Sequence, residues 1–243
     1  MRYGVISDIH SNLEALQAVL REIDAWGAQA LVCLGDVVGY GPDPNECCDL
    51  LRARGCLVIS GNHDEAAVSD AGVEFFNSVA RQALTWTQTQ LTPENRVFLA
   101  GLPRERKFEN FSIVHGAPGA HFDYISDAID AQRAFARVDS AVTFIGHTHT
   151  AEVFYQDGAR RTYHQKLAQG GRVTIAPGLR YIINPGSVGQ PRDLNPRSSC
   201  ALFDEDREEV EIRRVTYDVG RVRERMRDVN LPSELGARLI VGY

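Results

Sequence analysis

The sequence predicts an α/β fold in which a second sheet packs on the first. Over residues 1–63 short apolar runs alternate with segments of helical periodicity, the pattern of βαβ units. From residue 111 onward short strands dominate, with one helix among them, so the second half adds mostly β structure. Between the halves, residues 73–100 read as a small helical insertion. No repeat or linker-like stretch divides the chain, and residues 1–243 are expected to form one domain.

The first strand is residues 3–6, followed by a polar turn. Leu13, Leu16, Val19, Leu20, Ile23 and Trp26 then recur at helical spacing, and Ser11 with Glu14 fits a capping box that starts the helix. Residues 31–34 form the next apolar run, ending at Gly35-Asp36. A Gly/Pro-rich loop over 39–44 leads into a helix over 45–54, and residues 57–60 form a third strand that ends at Gly61-Asn62-His63. Of the two helices within 73–100, the second starts near Thr92-Pro93, where Pro suits the first turn. Phe75, Phe76, Trp86 and Leu91 are expected on their buried face. Strands follow at 111–114, 142–145, 153–156, 161–167, 172–175, 181–183, 199–203 and 210–215, with a helix over 127–137. Residues 220–241 read as helical, Pro232 opening the last piece. Arg221, Arg223, Arg225 and Arg227 alternate there with Glu224 and Asp228, which predicts a solvated face.

Composition removes several classes of function. A net charge of −6 argues against a duplex-nucleic-acid binder that works through a broad basic surface. No stretch reaches the roughly 18 apolar residues of a membrane span. The opening MRYGVISDIHSN meets charged and polar residues too early for a secretory signal, and five Cys without a framework give no disulfide scaffold, so a reducing cytoplasm is expected. No segment specifies an oligomer interface.

The chemistry sits at strand ends. Asp8-Ile9-His10, Gly35-Asp36, Gly61-Asn62-His63-Asp64, His115-Gly116 and Gly146-His147-Thr148-His149 each follow a predicted strand. In α/β sheets the loops beyond the carboxyl ends of strands line the ligand crevice, so five strands deliver Asp, Asn and His to one edge. Five of the seven His lie in these clusters, whereas His121 and His164 read as ordinary packing or surface residues. The pairs Asp8/His10 and His147/His149 are spaced i,i+2, which on an extended backbone places both side chains on one side. Asp, His and Asn without Cys suit a divalent ion such as Mn, Fe, Zn, Co or Ni. Each cluster alone is a weak signal. Together they point to one metal centre.

The series DIH (8–10), GD (35–36), GNHD (61–64), HG (115–116) and GHTH (146–149) resembles the calcineurin-like metallophosphoesterase superfamily, in the family's order. The later INPGSVGQPRD (183–193) resembles its compact bacterial and archaeal phosphodiesterase branch. The resemblance implies a four-layer αββα sandwich, two mixed sheets flanked by helices, with a dinuclear metal centre between the sheets' loops. By the same resemblance Asp8, His10 and His149 would hold one metal. Asn62, His115 and His147 would hold the other, and Asp36 would bridge them. His63 matches the motif histidine that works beside the scissile phosphate, with Asp64 to orient it.

Physical chemistry accords with that assignment. Two carboxylates facing two divalent ions leave a formal excess of about two positive charges, enough to attract a phosphate and stabilise a bridging hydroxide. Ions roughly 3.5–4 Å apart can clamp the attacking and leaving oxygens of an in-line displacement. His63 has two available jobs, protonating the leaving alkoxide or binding a phosphoryl oxygen; Asp64 nearby would raise its pKa and favour the acid. Asn12, Tyr40 and Arg192 are candidate substrate contacts, although Asn12 equally suits a helix cap, Tyr40 loop packing and Arg192 an ion pair. Asn184-Pro185-Gly186-Ser187 reads as a turn.

The expected function is metal-dependent hydrolysis of a phosphodiester or phosphomonoester, with small nucleotides or phosphoprotein as the substrates the resemblance implies. A nuclease is an alternative, made less attractive by the acidic balance. A non-catalytic binding scaffold, like the retromer subunit that resembles this family, is another. The retained ligand series and motif histidine argue against it.

Overall fold

The computed structural model describes residues 1–69 and 72–243. In chain order the elements are β1 (Arg2–Ile6), α1 (Leu13–Trp26), β2 (Ala30–Cys33), α2 (Pro44–Ala53), β3 (Leu57–Val58) and α3 (Asn62–Ser69). A 3₁₀ turn (Val73–Phe75), α4 (Ser78–Gln90) and α5 (Pro93–Ala100) come next. Then follow β4 (Glu105–Lys107), β5 (Phe111–Val114), α6 (Ala128–Phe135), β6 (Val142–Phe144), β7 (Ala151–Gln156), β8 (Thr162–Lys166) and β9 (Gly171–Thr174). The chain finishes with β10 (Arg180–Pro185), β11 (Ser198–Asp204), β12 (Glu209–Val215), α7 (Val219–Asp228) and α8 (Ser233–Val241).

Strand β1 shows how the layers arise. Successive side chains of a strand point to opposite faces, so Tyr3 and Val5 enter one core while Ile6 enters another. Gly4 shares the second face because Ile23 of α1 lies against it: a Cβ at Gly4 would sit 2.5 Å from Ile23 Cγ2. The first sheet runs β3-β2-β1-β11-β12-β9 and the second β4-β5-β6-β10-β7-β8. Both are mixed. Strands β1, β2 and β3 pair in parallel while β11 joins β1 antiparallel. In the second sheet β6 lies parallel to both β5 and β10, and β7 runs antiparallel to β10.

Three apolar layers hold the sandwich. Between the sheets Tyr3, Val5 and Phe203 meet Phe111, Phe144 and Ile183. Outside the first sheet Leu16, Val19 and Ile23 of α1 and Leu51 of α2 cover Ile6, Cys33 and Leu202. Outside the second, Ala131 and Phe135 of α6 cover Val114, Phe154 and Ile182. Helices, sheet, sheet and helix thus make the four expected layers. All five cysteines are free thiols. No helix among the described residues is long and apolar enough to cross a membrane.

Several sequence expectations need correction. The cap of α1 is Asn12, whose Oδ1 accepts from Ala15 N at 3.1 Å; Ser11, the expected cap, lies one residue early with φ +54°. Asn62, His63 and Asp64, expected in the polar cluster that follows the third strand, open helix α3, and the short strand β4 has no counterpart in the sequence pattern. Asn184 and Pro185 are not in a turn but pair with Glu152 and Ala151 at the end of β10. Phe75 is 86% exposed rather than part of a buried face, whereas Leu91 is buried as expected. The segment over 220–241 is more than a solvated face: Val222, Met226, Leu235 and Leu239 pack with Tyr40, Ala80 and Ala83. Arg225 pairs with the buried carboxylate of Asp43 and with Glu14.

Candidate metal centre

The strand-end clusters meet, but not by the route the spacing suggests. Asp8, His10, His147 and His149 have φ of +53°, +48°, +71° and +60°, so the i,i+2 pairs sit on left-handed turns and not on extended backbone. Asp36 and Tyr40 are left-handed as well, at +52° and +58°. Such a conformation costs an L-residue roughly 1–2 kcal/mol, and Asp, Asn and His tolerate it best. The sheet-end hydrogen bonds hold it: Asp8 N donates to Gly35 O and His10 N to Asp36 O, each at 3.0 Å.

Two groups converge. Asp8, His10, Asp36 and His149 offer ligand atoms within 4.8 Å of one another, and so do Asp36, His115 and His147. Asp36 belongs to both, and every member is buried. Carbonyl acceptors fix the tautomers. His10 Nδ1–H donates to Val38 O (3.1 Å), His149 Nδ1–H to Gln190 O (2.6 Å) and His115 Nδ1–H to Leu34 O (2.8 Å). His147 is reversed, Nε2–H donating to Phe122 O at 2.9 Å. With those protons committed outward, the remaining nitrogens of His10, His149, His115 and His147 all face inward.

The arrangement suits a cation. Nε2 of His10 and Nε2 of His149 lie 3.1 Å apart, lone pair against lone pair, with Asp8 Oδ1 3.4 Å from the latter. Asn62 Oδ1 and His115 Nε2 are buried with no hydrogen-bond partner. Asp36 Oδ2 lies 3.3 Å from that nitrogen and 3.6 Å from His10 Nε2. Burial pushes His10 and His149 well below the ordinary imidazole range and His147 down to about 3. Burial works against His115 too, but Asp36 outweighs it and raises that ring to about 9. Asp8 is raised to about 6 by burial. His10, His147 and His149 as neutral imidazoles, His115 once the proton that Asp36 holds on it is displaced, two carboxylates and an amide oxygen form a donor set that fits divalent ions, so these residues can hold them.

His63 and Asp64 are placed differently from the expectation. His63 packs its ring against Tyr40 (4.5 Å between centroids), Phe76 (4.6 Å) and His10 (4.8 Å), and its Nδ1 has no partner. Asp64 does not orient it. Its Oδ1 accepts from Val37 N (2.9 Å) and Val38 N (3.1 Å) and its Oδ2 from Gly61 N (3.0 Å), tying the loop after β2 to the start of α3. Nor is His63 raised: burial lowers it to about 4, against the opposing pull of Asp36. Asp36 Oδ1 in turn accepts from His63 N at 2.8 Å, which fixes the first turn of α3.

Of the tentative contacts, Tyr40 and Arg192 line a cavity of about 940 Å³ together with Asp36, Asn62, His63, His147 and His149. Asn12 does not line it. Its Nδ2 donates to Gly189 O at 2.9 Å while its Oδ1 caps α1, so both ends serve the fold. The Arg192 guanidinium sits over the Tyr40 ring, 5.8 Å from its centroid, and Asp193 pairs with Arg214 instead. No sequence pattern marks Tyr124, which stacks on His147 at 4.1 Å, or Phe122, whose carbonyl holds that ring. An aromatic beside His121 in a loop carries no pattern of its own.

The segment over 184–192, which contains the expected turn at 184–187 and the candidate Arg192, is the frame of the centre. Asn184 Nδ2 donates to Gly146 O (2.8 Å) and Thr148 Oγ1 (3.0 Å), and Gly189 N donates to Asp8 O (2.9 Å). Gly189 approaches so closely that a Cβ there would lie 1.8 Å from Ile9 O, a backbone atom with nowhere to go. Gly189→Ala is therefore expected to cost on the order of 3 kcal/mol. A urea midpoint unchanged from the native chain would contradict that packing.

Comparison with known proteins agrees with the geometry. The family model described as the calcineurin-like phosphoesterase superfamily domain matches residues 1–208. An uncharacterized protein of Methanocaldococcus jannaschii is 37% identical over 250 aligned positions, covering 98% of this chain and 97% of its own. A crystal structure of a metallophosphoesterase from Sphaerobacter thermophilus superposes with a TM-score of 0.87 at 38% identity, covering all of both chains. A hypothetical protein of Pyrococcus horikoshii shares the fold, with a TM-score of 0.80 at 20% identity, over 100% of this chain and 98% of that one. With strand-end Asp, Asn and His gathered between two mixed sheets, the chain belongs to the calcineurin-like phosphoesterase superfamily.

Proposed function

We propose that this protein hydrolyses phosphate esters, diesters or monoesters, at a dinuclear metal centre. The observation that carries the reading is the sharing of Asp36 between two convergent groups whose remaining histidine nitrogens all point inward. Asp8, His10 and His149 would hold one ion and Asn62, His115 and His147 the other, with Asp36 between them. Two divalent ions there would activate a water and polarise the phosphate oxygens.

The chain's own residues do the rest. Gly61 brings the start of α3 against Asp36: a Cβ would meet Asp36 Oδ1 at 2.1 Å, so only glycine lets Asn62 and His63 reach the centre. His63 presents a ring N–H to the phosphate, and Arg192 adds a planar cation beside it. Tyr40, Phe76 and Tyr124 supply apolar wall for an aromatic group of the ester, which makes small nucleotides good candidates. Packing of α7 and α8 on Tyr40 and α4 supports treating residues 1–243 as one domain.

The test is turnover by metal-stripped protein reloaded with Mn²⁺, using p-nitrophenyl phosphate and bis-p-nitrophenyl phosphate. Hydrolysis that returns with the metal is the expected result, and the ratio of the two rates assigns monoester or diester preference. No release of nitrophenol from either ester by protein holding two ions would overturn the reading in favour of a binding scaffold.

A further inference from the structure

We propose that Arg238 of α8 forms a second anion subsite in the cavity, so that the chain prefers phosphate esters whose alcohol carries an aromatic ring and a further phosphate. The inference rests on the reading above and deepens it. The cavity extends well past the metal centre, at about 940 Å³, and three arginines line it. Their circumstances differ. Arg104 is neutralised by a two-point pair with Glu65, Nε to Oε1 at 2.6 Å and Nη2 to Oε2 at 2.8 Å. Arg192 stands beside the centre, its Nη2 donating to Gln190 Oε1 (2.9 Å) and Tyr40 Oη (3.4 Å). Arg238 is half-buried, and its guanidinium has no hydrogen-bond or ion-pair partner among the described residues.

A partly desolvated guanidinium without an acceptor is costly, and a wall position makes a ligand the natural acceptor. The carboxylates on the same walls do not fill that role. Asp36 is committed to the centre, Glu65 to Arg104, and Asp123 makes no ion pair with Arg238. Arg238 is also held in place. Leu235 and Leu239 on its helix are buried with Tyr40 and Ala83, and the Gly242 carbonyl accepts from Leu194 N at 2.8 Å beside the 184–192 frame. The same lining is rich in aromatic rings, with Tyr40 and Phe76 both packed on the His63 ring. A ligand with one phosphate at the metals, a ring against those aromatics and a second phosphate on Arg238 would satisfy all three features.

The experiment uses probes with unhydrolysable C–P bonds, benzylphosphonate and p-xylylenediphosphonate, titrated calorimetrically into the Mn²⁺-loaded full chain. The diphosphonate is expected to bind about 10- to 100-fold more tightly than the monophosphonate. In Arg238→Gln that gap should collapse to within about threefold, while Arg238→Lys restores part of it because it keeps the charge. The backbone carbonyl of Arg238, which accepts from Gly242 N, is unaffected by either change. Equal affinities for the two probes in the native chain, or a gap that survives Arg238→Gln, would overturn the subsite. A gap that depends on Arg238 in a chain that turns over no ester would keep the subsite and remove the hydrolase. Ester turnover without a gap would do the reverse.

Discussion

Asp36→Asn is expected to empty both metal positions and abolish hydrolysis, whereas His149→Ala should empty only one. The contrast follows from geometry. Asp36 is the single residue common to the two convergent groups, and its Oδ2 lies 3.3 Å from His115 Nε2 on one side and 3.6 Å from His10 Nε2 on the other. An amide in its place keeps the shape, so Oδ1 can still accept from His63 N and the start of α3 survives. What disappears is the negative charge that would face both ions. Losing an outer-sphere partner of a metal ligand already costs about 10- to 100-fold in affinity, so losing a shared carboxylate should cost more than about 100-fold at both positions. Metal content by mass spectrometry after equilibrium dialysis, compared with the native chain and with His149→Ala, decides the matter. A fully loaded Asp36→Asn protein would refute the shared role, and one that retains a single ion would assign Asp36 to the other position alone.

The part of this centre that was legible in the sequence is the part that closes strands. Asp8, Asp36, His115 and His147 each follow an apolar run at the edge of the sandwich, and the runs are readable because β1, β2, β5 and β6 are buried on both faces. The backbone that gathers them was not legible. Spacing of i,i+2 is the same on an extended strand and on a left-handed turn, and only the sheet-end hydrogen bonds of Asp8 and His10 choose the latter. Helix α3 is hidden for a related reason: Asn62, His63 and Asp64 read as a polar strand-end cluster because His63 and Asp64, in its first turn, are buried against Asp36 and the Val37 and Val38 amides instead of facing water. Asp64 was adjacent to His63 in sequence, yet consecutive residues of a helix diverge, and its carboxylate turns to backbone amides. Arg238 offered no pattern at all. It reaches the cavity only through the packing of α8 on Tyr40, a contact spanning most of the chain.

His63→Ala is expected to keep both ions and lose about 10²–10³ in kcat, as removal of a donor to a developing phosphoryl charge does. The ring belongs to neither convergent group, lines the cavity and is wedged among Tyr40, Phe76 and His10. Burial holds it down at about 4, and Asp64, which would have to raise it for acid catalysis, is occupied by Val37, Val38 and Gly61. A neutral imidazole donates a hydrogen bond but has no proton to give to an alkoxide. Two comparisons separate those roles. Gln retains an N–H donor, so His63→Gln should recover about tenfold of the activity that Ala loses. The Ala deficit should also be the same for a p-nitrophenyl ester and for an alkyl ester of the same phosphate. If His63 instead protonated the leaving oxygen, Gln would be as poor as Ala. The deficit would then grow steeply for the alkyl ester, whose alkoxide leaves badly without a proton. Metal loss in step with activity would overturn both roles, because it would place His63 among the groups that build the centre.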